Sequence, residues 1–351
     1  MGKRLGKQTV SFSKCPNVIG NYSIVGQKEG NGNLKNYFDY VLKDDLFGEK
    51  TFEKAERKMI EHAILNALDG AGLRTKDLDL LICGDLLNQI ISSSFAAREF
   101  DVTFLGLYGA CSTMAEALAV GCCYVDGDYF DNVACATGSH FSTVERQYRF
   151  PLELGNQRPP VSQWTVTGAG CTVLGSKNSN IKIANATFGK VTDFGVSDVN
   201  NMGAAMAPAA MSTLITHFED TNTTPDDYDL IVTGDLGKLG CEILLDLMEN
   251  KGYKLKDNYN DCGQMIYSNN QKVYQGGSGC GCSAVVLNSY ILQKMGEGVY
   301  NRVLFAATGA LLSTLSSQQG ESIPGICHAV EFRRGNWFIW KCFWLVVLFV
   351  F

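Results

Sequence analysis

Apolar residues recur every three or four positions between Phe52 and Ala67. This spacing predicts one buried face of a helix, which we expect to end at Gly70. The runs LLIC at 80–83 and VACATG at 133–138 are apolar without alternation. Such runs are typical of strands that are covered on both faces. Helices and buried strands therefore alternate, and the pattern predicts a largely parallel α/β sheet.

The same order of elements occurs twice in the chain. Residues 77–86 read DLDLLICGDL and residues 227–236 read DYDLIVTGDL. The Cys-Ser pair at 111–112 returns at 282–283, and an Ala-Thr-Gly sequence repeats at the same offset. Repetition of several blocks in one order indicates an internal duplication. Two such halves, packed together, predict five layers in the order α/β/α/β/α.

We therefore predict three parts of the chain. An N-terminal half covers residues 1–185, a C-terminal half covers 186–335, and an atypical apolar tail covers 336–351. As a helix, the fifteen residues from Trp337 would span ~22 Å, which is short of a ~30 Å hydrocarbon core. The tail is then either an anchor in the membrane interface or the product of a frameshift or read-through.

Composition restricts the class of protein and its cellular compartment. The 351 residues are 46% hydrophobic and 19% charged, with a net charge of −6, which is typical of a globular protein. Lys and Arg are scattered, so nucleic acid is not an expected partner. The thirteen cysteines lack the spacing of a disulfide framework. We expect no signal peptide, no metal and no cofactor. We also expect buried thiols at Cys83, Cys122, Cys123 and Cys135.

The stretch GACST at 109–113 places Cys111 immediately before an alanine-rich helical pattern. Backbone N–H groups and the positive end of a helix dipole favour the thiolate at such a position. Two interpretations follow from this placement. Cys111 is either a nucleophile that accepts an acyl group or one wall of a pocket.

These motifs, with ERQYRFP at 145–151, VTGAG at 166–170 and GGSGCGCSAVV at 276–286, resemble the thiolase superfamily. Within that superfamily they resemble the stage V sporulation protein AD family of spore-forming bacteria. The resemblance covers about residues 6–332 and implies the thiolase-like, duplicated five-layer α/β/α/β/α fold. From about Arg333 the chain departs from the polar ending that is usual in the family.

The resemblance also implies a function. Members bind dipicolinic acid, a pyridine with two carboxylates, as the free acid or the calcium chelate, without catalytic turnover. They assist its transport into the developing spore, together with membrane-embedded proteins of the same sporulation operon. We therefore expect a role in sporulation and germination and a peripheral location at the spore inner membrane. The sequence does not decide the oligomeric state. Thiolase-fold enzymes are often dimers, so a homodimer is one option.

The condensing relatives pair their cysteine with a histidine and an asparagine, which stabilise charge on the thioester oxygen. The segment equivalent to the histidine's holds Gly234, Asp235 and Leu236, and the segment equivalent to the asparagine's holds Gly277, Ser278 and Gly279. Loss of both partners argues against condensation. The alternative to a non-catalytic binding protein is an acyl-thioester condensing or acyl-transfer enzyme with Cys111 as its nucleophile. Asp85 follows the first strand of the repeat and either does acid–base work or holds its loop.

Two carboxylates require hydrogen-bond donors such as guanidinium, imidazole, amide and hydroxyl groups. We predict that the ligand site lies in the cavity around the cysteine. Its candidate residues are Cys111, Asp85, Asn88, His140, Arg146, Arg149, Ser278 and His328. The alternative for the two arginines is a surface ion pair with Glu145 or Glu153. The alternative for His328 is a core position.

Overall fold

The structure is a computed structural model that describes residues 2–148 and 158–335. The elements of the first half are β1 (Lys3–Arg4), β2 (Thr9–Ser11), β3 (Asn17–Val25), α1 (Gln27–Gly30), β4 (Tyr40–Val41), α2 (Phe52–Ala71), β5 (Leu80–Gly84), α3 (Ile91–Ala97), β6 (Thr103–Gly106), α4 (Thr113–Asp126), β7 (Asn132–Ser139), α5 (Phe141–Tyr148), β8 (Trp164–Thr165) and β9 (Gly168–Gly175). The elements of the second half are β10 (Ile181–Thr187), α6 (Met202–Thr221), β11 (Leu230–Thr233), α7 (Gly237–Asn250), β12 (Tyr259–Asp261), α8 (Cys262–Ile266), β13 (Gly277–Ser278), α9 (Cys280–Val286), a π-helical turn (Leu287–Ile291), α10 (Leu292–Glu297), β14 (Arg302–Ala310), α11 (Thr314–Gln318) and β15 (Gly325–Arg334).

Two mixed sheets of the same strand order form the centre of the fold. The first runs β6-β5-β7-β9-β3 and the second runs β12-β11-β14-β15-β10. In each sheet the first three strands are parallel, and the last two are antiparallel to their neighbours. The predicted duplication is confirmed. The prediction of a largely parallel sheet is wrong, because apolar runs report burial on both faces but not strand direction.

The two sheets meet through a single residue pair, Lys182 with Asn17. Strand β10 pairs with β15 and takes the position in the second sheet that β3 takes in the first. By this pairing β10 belongs to the second sheet. The predicted boundary between residues 185 and 186 lies inside β10.

Helices cover both sheets and separate them. Helices α2 and α3 pack on the first sheet, α6 packs on the outer face of the second with α7 against it, and α4 and α9 lie between the sheets. Helix α4 contacts β7 of the first sheet and β14 and β15 of the second. Because it faces a sheet on both sides, most of its residues are buried. The predicted five-layer α/β/α/β/α arrangement is confirmed.

Helix α2 shows how closely the apolar pattern predicts an element. The Thr51 side chain accepts a hydrogen bond from the backbone N–H of Lys54 at the N-terminus. The helix continues past the predicted end at Gly70 and stops at Gly72, which has a φ of 71°. A left-handed residue at this position favours glycine, so Gly72 rather than Gly70 ends the helix.

The cysteines of the described residues are free thiols. Cys83, Cys122 and Cys135 are buried, as predicted. The prediction for Cys123 is wrong, because this side of α4 faces solvent and leaves the thiol exposed. Within residues 2–148 and 158–335, no helix is long and apolar enough to cross a membrane. The predicted tail, 336–351, lies outside the described residues.

Candidate functional site

Cys111 lies in a tight turn between β6 and α4. Ala110 has a φ of +50°, a region that costs a residue with a Cβ roughly 1–2 kcal/mol. The Ser112 hydroxyl and backbone N–H both donate to the Gly109 carbonyl, at 2.7 and 3.0 Å. The Thr113 hydroxyl donates to the Ala110 carbonyl at 2.7 Å. These three bonds hold the cysteine in one position at the start of α4.

Strand β14 of the second half closes against this turn. A Cβ at Gly309 would lie 2.4 Å from the carbonyl oxygen of Gly109 and 3.0 Å from the backbone nitrogen of Ser112. Only glycine allows so close an approach between the two backbones. The site is therefore built where the two halves of the chain meet.

Asp235 follows β11 and is fully buried beside Cys111. Its carboxylate accepts hydrogen bonds from the Ser278 hydroxyl at 3.0 Å, the Gly279 N–H at 3.0 Å and the Thr308 hydroxyl at 2.9 Å. Burial raises the pKa of Asp235 to about 6. The group is therefore mostly ionised at neutral pH, because that pH lies above its pKa.

Burial, and next the negative charge of Asp235, raise the pKa of the Cys111 thiol well above its usual range. The Gly279 N–H and the Ser278 hydroxyl act in the opposite direction but are smaller influences. Burial and the charge of Asp235 act against the thiolate that a helix start favours. Desolvation and a neighbouring carboxylate outweigh the helix dipole, so Cys111 is a neutral thiol beside Asp235.

An inner cavity of about 30 Å³ opens at Cys111. Its lining is mainly apolar and consists of Leu86, Tyr108, Ala110, Cys111, Val144, Tyr148, Thr165, Met202, Ser278, Ala310 and Leu312. A volume of this size holds about one or two water molecules. Of the predicted site residues, Cys111 and Ser278 are brought together here.

An outer cavity of about 330 Å³ adjoins the inner one and shares Tyr108, Tyr148 and Leu312 with it. The rest of its lining combines leucines with amide and hydroxyl side chains: Leu87, Asn88, Gln89, Gln147, Leu311, Ser313 and Thr314. The described residues that line the two cavities include no Lys, Arg, Asp or Glu. The predicted residue Asn88 lies in this outer cavity.

Two tyrosines lie where the cavities join. The hydroxyls of Tyr108 and Tyr148 are 2.9 Å apart, and the Tyr148 hydroxyl donates to the Leu86 carbonyl. Since that proton is already used, the Tyr108 hydroxyl is the donor to Tyr148. The pair connects the segment after β6 to the end of α5, and Tyr148 links both to the loop after β5. The pair forms a boundary between the outer cavity and Cys111.

Asp85 holds the loop that carries Asn88. Its carboxylate accepts from the Leu87 N–H at 2.9 Å and from the Ser93 N–H and hydroxyl, each at 2.7 Å. It is completely buried and lines neither cavity. Of the two interpretations of Asp85, the geometry supports loop positioning, because its acceptor capacity is directed to its own loop.

His140 and Arg146 are not brought to Cys111 by the fold. The Nε2–H of His140 donates to the Asp45 carbonyl at 2.8 Å, and its Nδ1 accepts from the Ser142 N–H at 3.1 Å. Arg146 forms an exposed ion pair with Glu53 at 2.9 Å. The surface ion pair expected as the alternative for this arginine therefore exists, but with Glu53 as its partner.

His328 is a core residue of β15 on a different face. Its Nδ1 accepts a hydrogen bond from the Gly189 N–H at 3.1 Å, and burial lowers its pKa to about 4. The side chain is therefore neutral and lines neither cavity. The last predicted ligand residue, Arg149, follows Tyr148 in the chain and lies outside the described residues.

Sequence reasoning missed three residues of the site as members: Asp235, Tyr108 and Tyr148. A signal for Asp235 was present, since Gly-Asp-Leu occurs at 84–86 and again at 234–236. The tyrosines had no such signal, because they are distant in sequence and only the tertiary fold pairs them. Over the described residues, no group of three or more His, Cys, Asp or Glu side chains is arranged to hold a metal ion.

Solved structures of condensing enzymes share this fold. The 3-oxoacyl-[acyl-carrier-protein] synthase III from Aquifex aeolicus VF5 superposes with a TM-score of 0.58 at 14% identity, covering 91% of this chain and 99% of that one. Cerulenin-bound OleA of Xanthomonas campestris gives a TM-score of 0.58 at 12% identity, covering 92% of this chain and 97% of that one. At such identities the likeness shows the fold alone.

The sequence itself has closer relatives. Residues 6–333 match the family described as stage V sporulation protein AD (SpoVAD). The stage V sporulation protein AD of Bacillus subtilis (strain 168) is 45% identical over 334 residues, which is 95% of this chain and 99% of that protein. Identity at this level over nearly the whole length of both chains leaves one conclusion: the chain belongs to the stage V sporulation protein AD family.

Proposed function

We propose that this protein binds dipicolinic acid, as the free acid or the calcium chelate, without turning it over. In this proposal it assists uptake of the acid into the developing spore beside membrane-embedded partners at the inner membrane. The observation that carries the proposal is a ligand-sized cavity whose described lining has no charged side chain, in a chain of a sporulation family. The Tyr108–Tyr148 pair separates this cavity from the Cys111 thiol, whose pKa is raised.

The outer cavity suits a small planar ligand. Its volume of about 330 Å³ is at the lower end of the ~300–1,000 Å³ that is usual for small-molecule sites. The side chains of Leu311 and Leu312 offer apolar contact to a pyridine ring. The amides of Asn88, Gln89 and Gln147 offer donors to two carboxylates.

The inner cavity is too small for the ligand while the two tyrosines are paired. We propose that Cys111 and Ser278 form the closed inner end of the site, and that Asp85 acts by holding the loop with Asn88. Separation of Tyr108 from Tyr148 would join the cavities and bring the thiol within reach of a ligand.

The electrostatics of the inner end oppose acyl transfer. A thioester transition state develops negative charge on its carbonyl oxygen, which condensing enzymes stabilise with hydrogen-bond donors. Here the carboxylate of Asp235 lies next to the sulfur and repels such a charge. The thiol also keeps its proton at neutral pH. Both features favour binding without catalysis.

The competing function is acyl transfer through Cys111, which the fold of the condensing enzymes favours. Incubation with radiolabelled acyl-CoA separates the two functions. Stable label on the wild-type protein that is lost in Cys111→Ser would establish acyl transfer. No label under conditions where dipicolinate binds would support a binding protein.

Calorimetric titration with dipicolinate, with and without equimolar Ca²⁺, tests the proposal directly. We expect saturable binding by the wild-type protein and at least tenfold weaker binding by Asn88→Ala, because one amide donor is lost. Asn250→Ala is the matched control, since Asn250 is exposed at the end of α7. No heat at millimolar ligand in either titration, or equal affinity of Asn88→Ala and Asn250→Ala, would contradict the proposal.

A further inference from the structure

A third cavity, of about 170 Å³, lies in the second half between the start of α7 and the connection from β12 to β13. Its lining includes Lys238, Gln264, Asn269, Lys272 and Tyr274. The cavity shares no lining residue with the two cavities at Cys111. It is therefore a separate concavity with a different chemical character.

The charge of this cavity is positive. Two lysines line it, and the described lining contains no Asp or Glu. Neither Lys238 nor Lys272 forms an ion pair within residues 2–148 and 158–335. Both lysines are exposed, and no carboxylate of the described lining neutralises them. Such a concavity attracts anions.

Helix stability does not explain Lys238. This residue lies in the first turn of the fourteen-residue helix α7, where the helix dipole is positive. A cation there costs roughly 0.3–1 kcal/mol instead of stabilising the helix. The backbone N–H groups of Lys238 and Leu239 are satisfied by the carbonyl and side chain of Gln275. The N-terminus of α7 is already capped by the Asp261 carboxylate, which accepts from the Leu236 and Gly237 N–H groups at 2.9 and 3.1 Å. An anion in the cavity would therefore compensate the charge of Lys238, not the dipole.

The cavity exists because the second half has a longer connection than the first. Strand β6 ends at Gly106, and the cysteine turn begins at Gly109. In the second half, residues 262–276 separate β12 from β13, and they supply most of the lining. The first half positions its central helix α4 without such a segment, so the duplicated fold does not need residues 262–276 to position α9.

The backbone of the longer connection is strained beside the cavity. Lys272 has a φ of 53° and Tyr274 a φ of 56°, and both side chains line the cavity. Residues other than glycine cost about 1–3 kcal/mol each in such conformations, which cluster at ligand sites. The amides of Gln264 and Asn269 add neutral donors around the two ammonium groups.

We infer that this cavity is a second binding site, which holds a small dianionic oxyanion between Lys238 and Lys272. The shared chemistry is a compact group with two negative charges, such as a phosphate or an aromatic dicarboxylate. The site does not depend on the outer cavity or on Asn88, so it stands or falls independently of the function proposed above.

Calorimetric titrations with inorganic phosphate and with dipicolinate test this inference on the full chain. We expect phosphate to bind the wild-type protein and to bind Lys238→Gln and Lys272→Gln at least tenfold more weakly. Lys251→Gln is the matched control, because Lys251 is an exposed lysine just after α7. Asn88→Ala should leave phosphate binding unchanged.

The dipicolinate titration distinguishes the two sources of the dianion. If the natural ligand is a dicarboxylate, the wild-type protein shows two sites and the double lysine variant shows one. If it is a phosphate, dipicolinate binding does not respond to the lysine variants. Backbone amide NMR of the wild-type protein during a phosphate titration gives a variant-free test, with shifts expected across residues 263–276. Unchanged amides there, or equal weakening by Lys251→Gln, would overturn the site.

Discussion

The two halves of the molecule place the same three residues, Gly-Asp-Leu, after the same strand, yet the two aspartates have different roles. Asp85 accepts its hydrogen bonds from Leu87 in its own loop and from Ser93 in the helix α3 that follows. Asp235 accepts from Ser278 and the adjacent Gly279, and from Thr308, which belong to two other segments of the fold. Identical local sequence therefore fixes the position of a carboxylate but not its partners.

The halves also differ in how they reach their central helix. The first half turns directly from β6 into the cysteine turn, whereas the second inserts residues 262–276. Both halves carry a cysteine at this helix, Cys111 and Cys282, but the carboxylate beside Cys111 comes from the second half. The positive cavity lies beside the longer connection of the second half. Duplication supplied the scaffold, and the differences between the copies supply the candidate sites.

The largest expected effect comes from the repeated Ala-Thr-Gly sequence. A Cβ at Gly309 would meet the Gly109 backbone oxygen at 2.4 Å, whereas a Cβ at Gly138 would first meet the Ile60 side chain at 2.7 Å. We expect Gly309→Ala to lower the free energy of unfolding by about 3 kcal/mol, and Gly138→Ala by about 1 kcal/mol, since a side chain yields more easily than backbone. Urea denaturation measures both. Equal losses would show that the halves do not meet tightly at this turn.

Glu29 joins the first half to the longer connection, residues 262–276, and makes the stability of the protein depend on pH. It is buried in α1, and its carboxyl group accepts from the Tyr267 hydroxyl and from the Thr167 N–H. Burial raises its pKa from 4.5 to about 7. The folded state then binds the proton more tightly than the unfolded state, so this contribution to stability is full below pH 4.5 and is lost as pH rises through 7.

A shift of this size corresponds to roughly 3 kcal/mol of pH-dependent stability. Glu29→Gln keeps an acceptor oxygen but cannot titrate, so its unfolding free energy should vary less between pH 4.5 and 7 than that of the wild type. Denaturation across this range provides the measurement. Parallel pH profiles for the two proteins would mean that Glu29 does not titrate in this interval.

Asp85→Asn should destabilise the protein by about 1–3 kcal/mol, because an amide has one acceptor oxygen and three donors point at the carboxylate. The loop with Asn88 should also lose its position, so dipicolinate binding weakens. Cys111 reactivity should stay unchanged, because Asp85 is not its neighbour in the site. Thermal denaturation and titration on the same variant check both effects. Weaker binding without loss of stability would instead indicate direct contact with the ligand.

The smallest expected effect concerns the influence of Asp235, compared with that of Asp85, on the reactivity of the Cys111 thiol. Asp235→Asn removes the charge that raises the Cys111 pKa, so more thiolate forms at pH 8. We expect iodoacetamide to alkylate Cys111 roughly tenfold faster, because the thiolate is the reactive form of cysteine. Mass spectrometry of the cysteine peptide gives the rate, with Asp85→Asn as the matched control. If both variants react at the wild-type rate, the carboxylate does not control the thiol.

Much of the scaffold was determined by the sequence. The apolar period from Phe52 to Ala67 gave helix α2, and the runs at 80–83 and 133–138 gave buried strands. Burial patterns depend on local periodicity, which a single sequence displays directly. The repeated motifs likewise predicted the duplication and its five layers. Strand direction was beyond these patterns, because parallel and antiparallel strands that are buried on both faces look alike.

The membership of the site was decided by the tertiary structure. Cys111 and Ser278 meet in one cavity as expected, whereas His140, Arg146 and His328 turn to partners elsewhere. Those partners come from distant segments, and no local pattern encodes which donors and acceptors will be within reach. The state of the Cys111 thiol was decided in the same way. Its position at a helix start is written in the sequence, but its burial beside Asp235 arises only when the second half closes on the first.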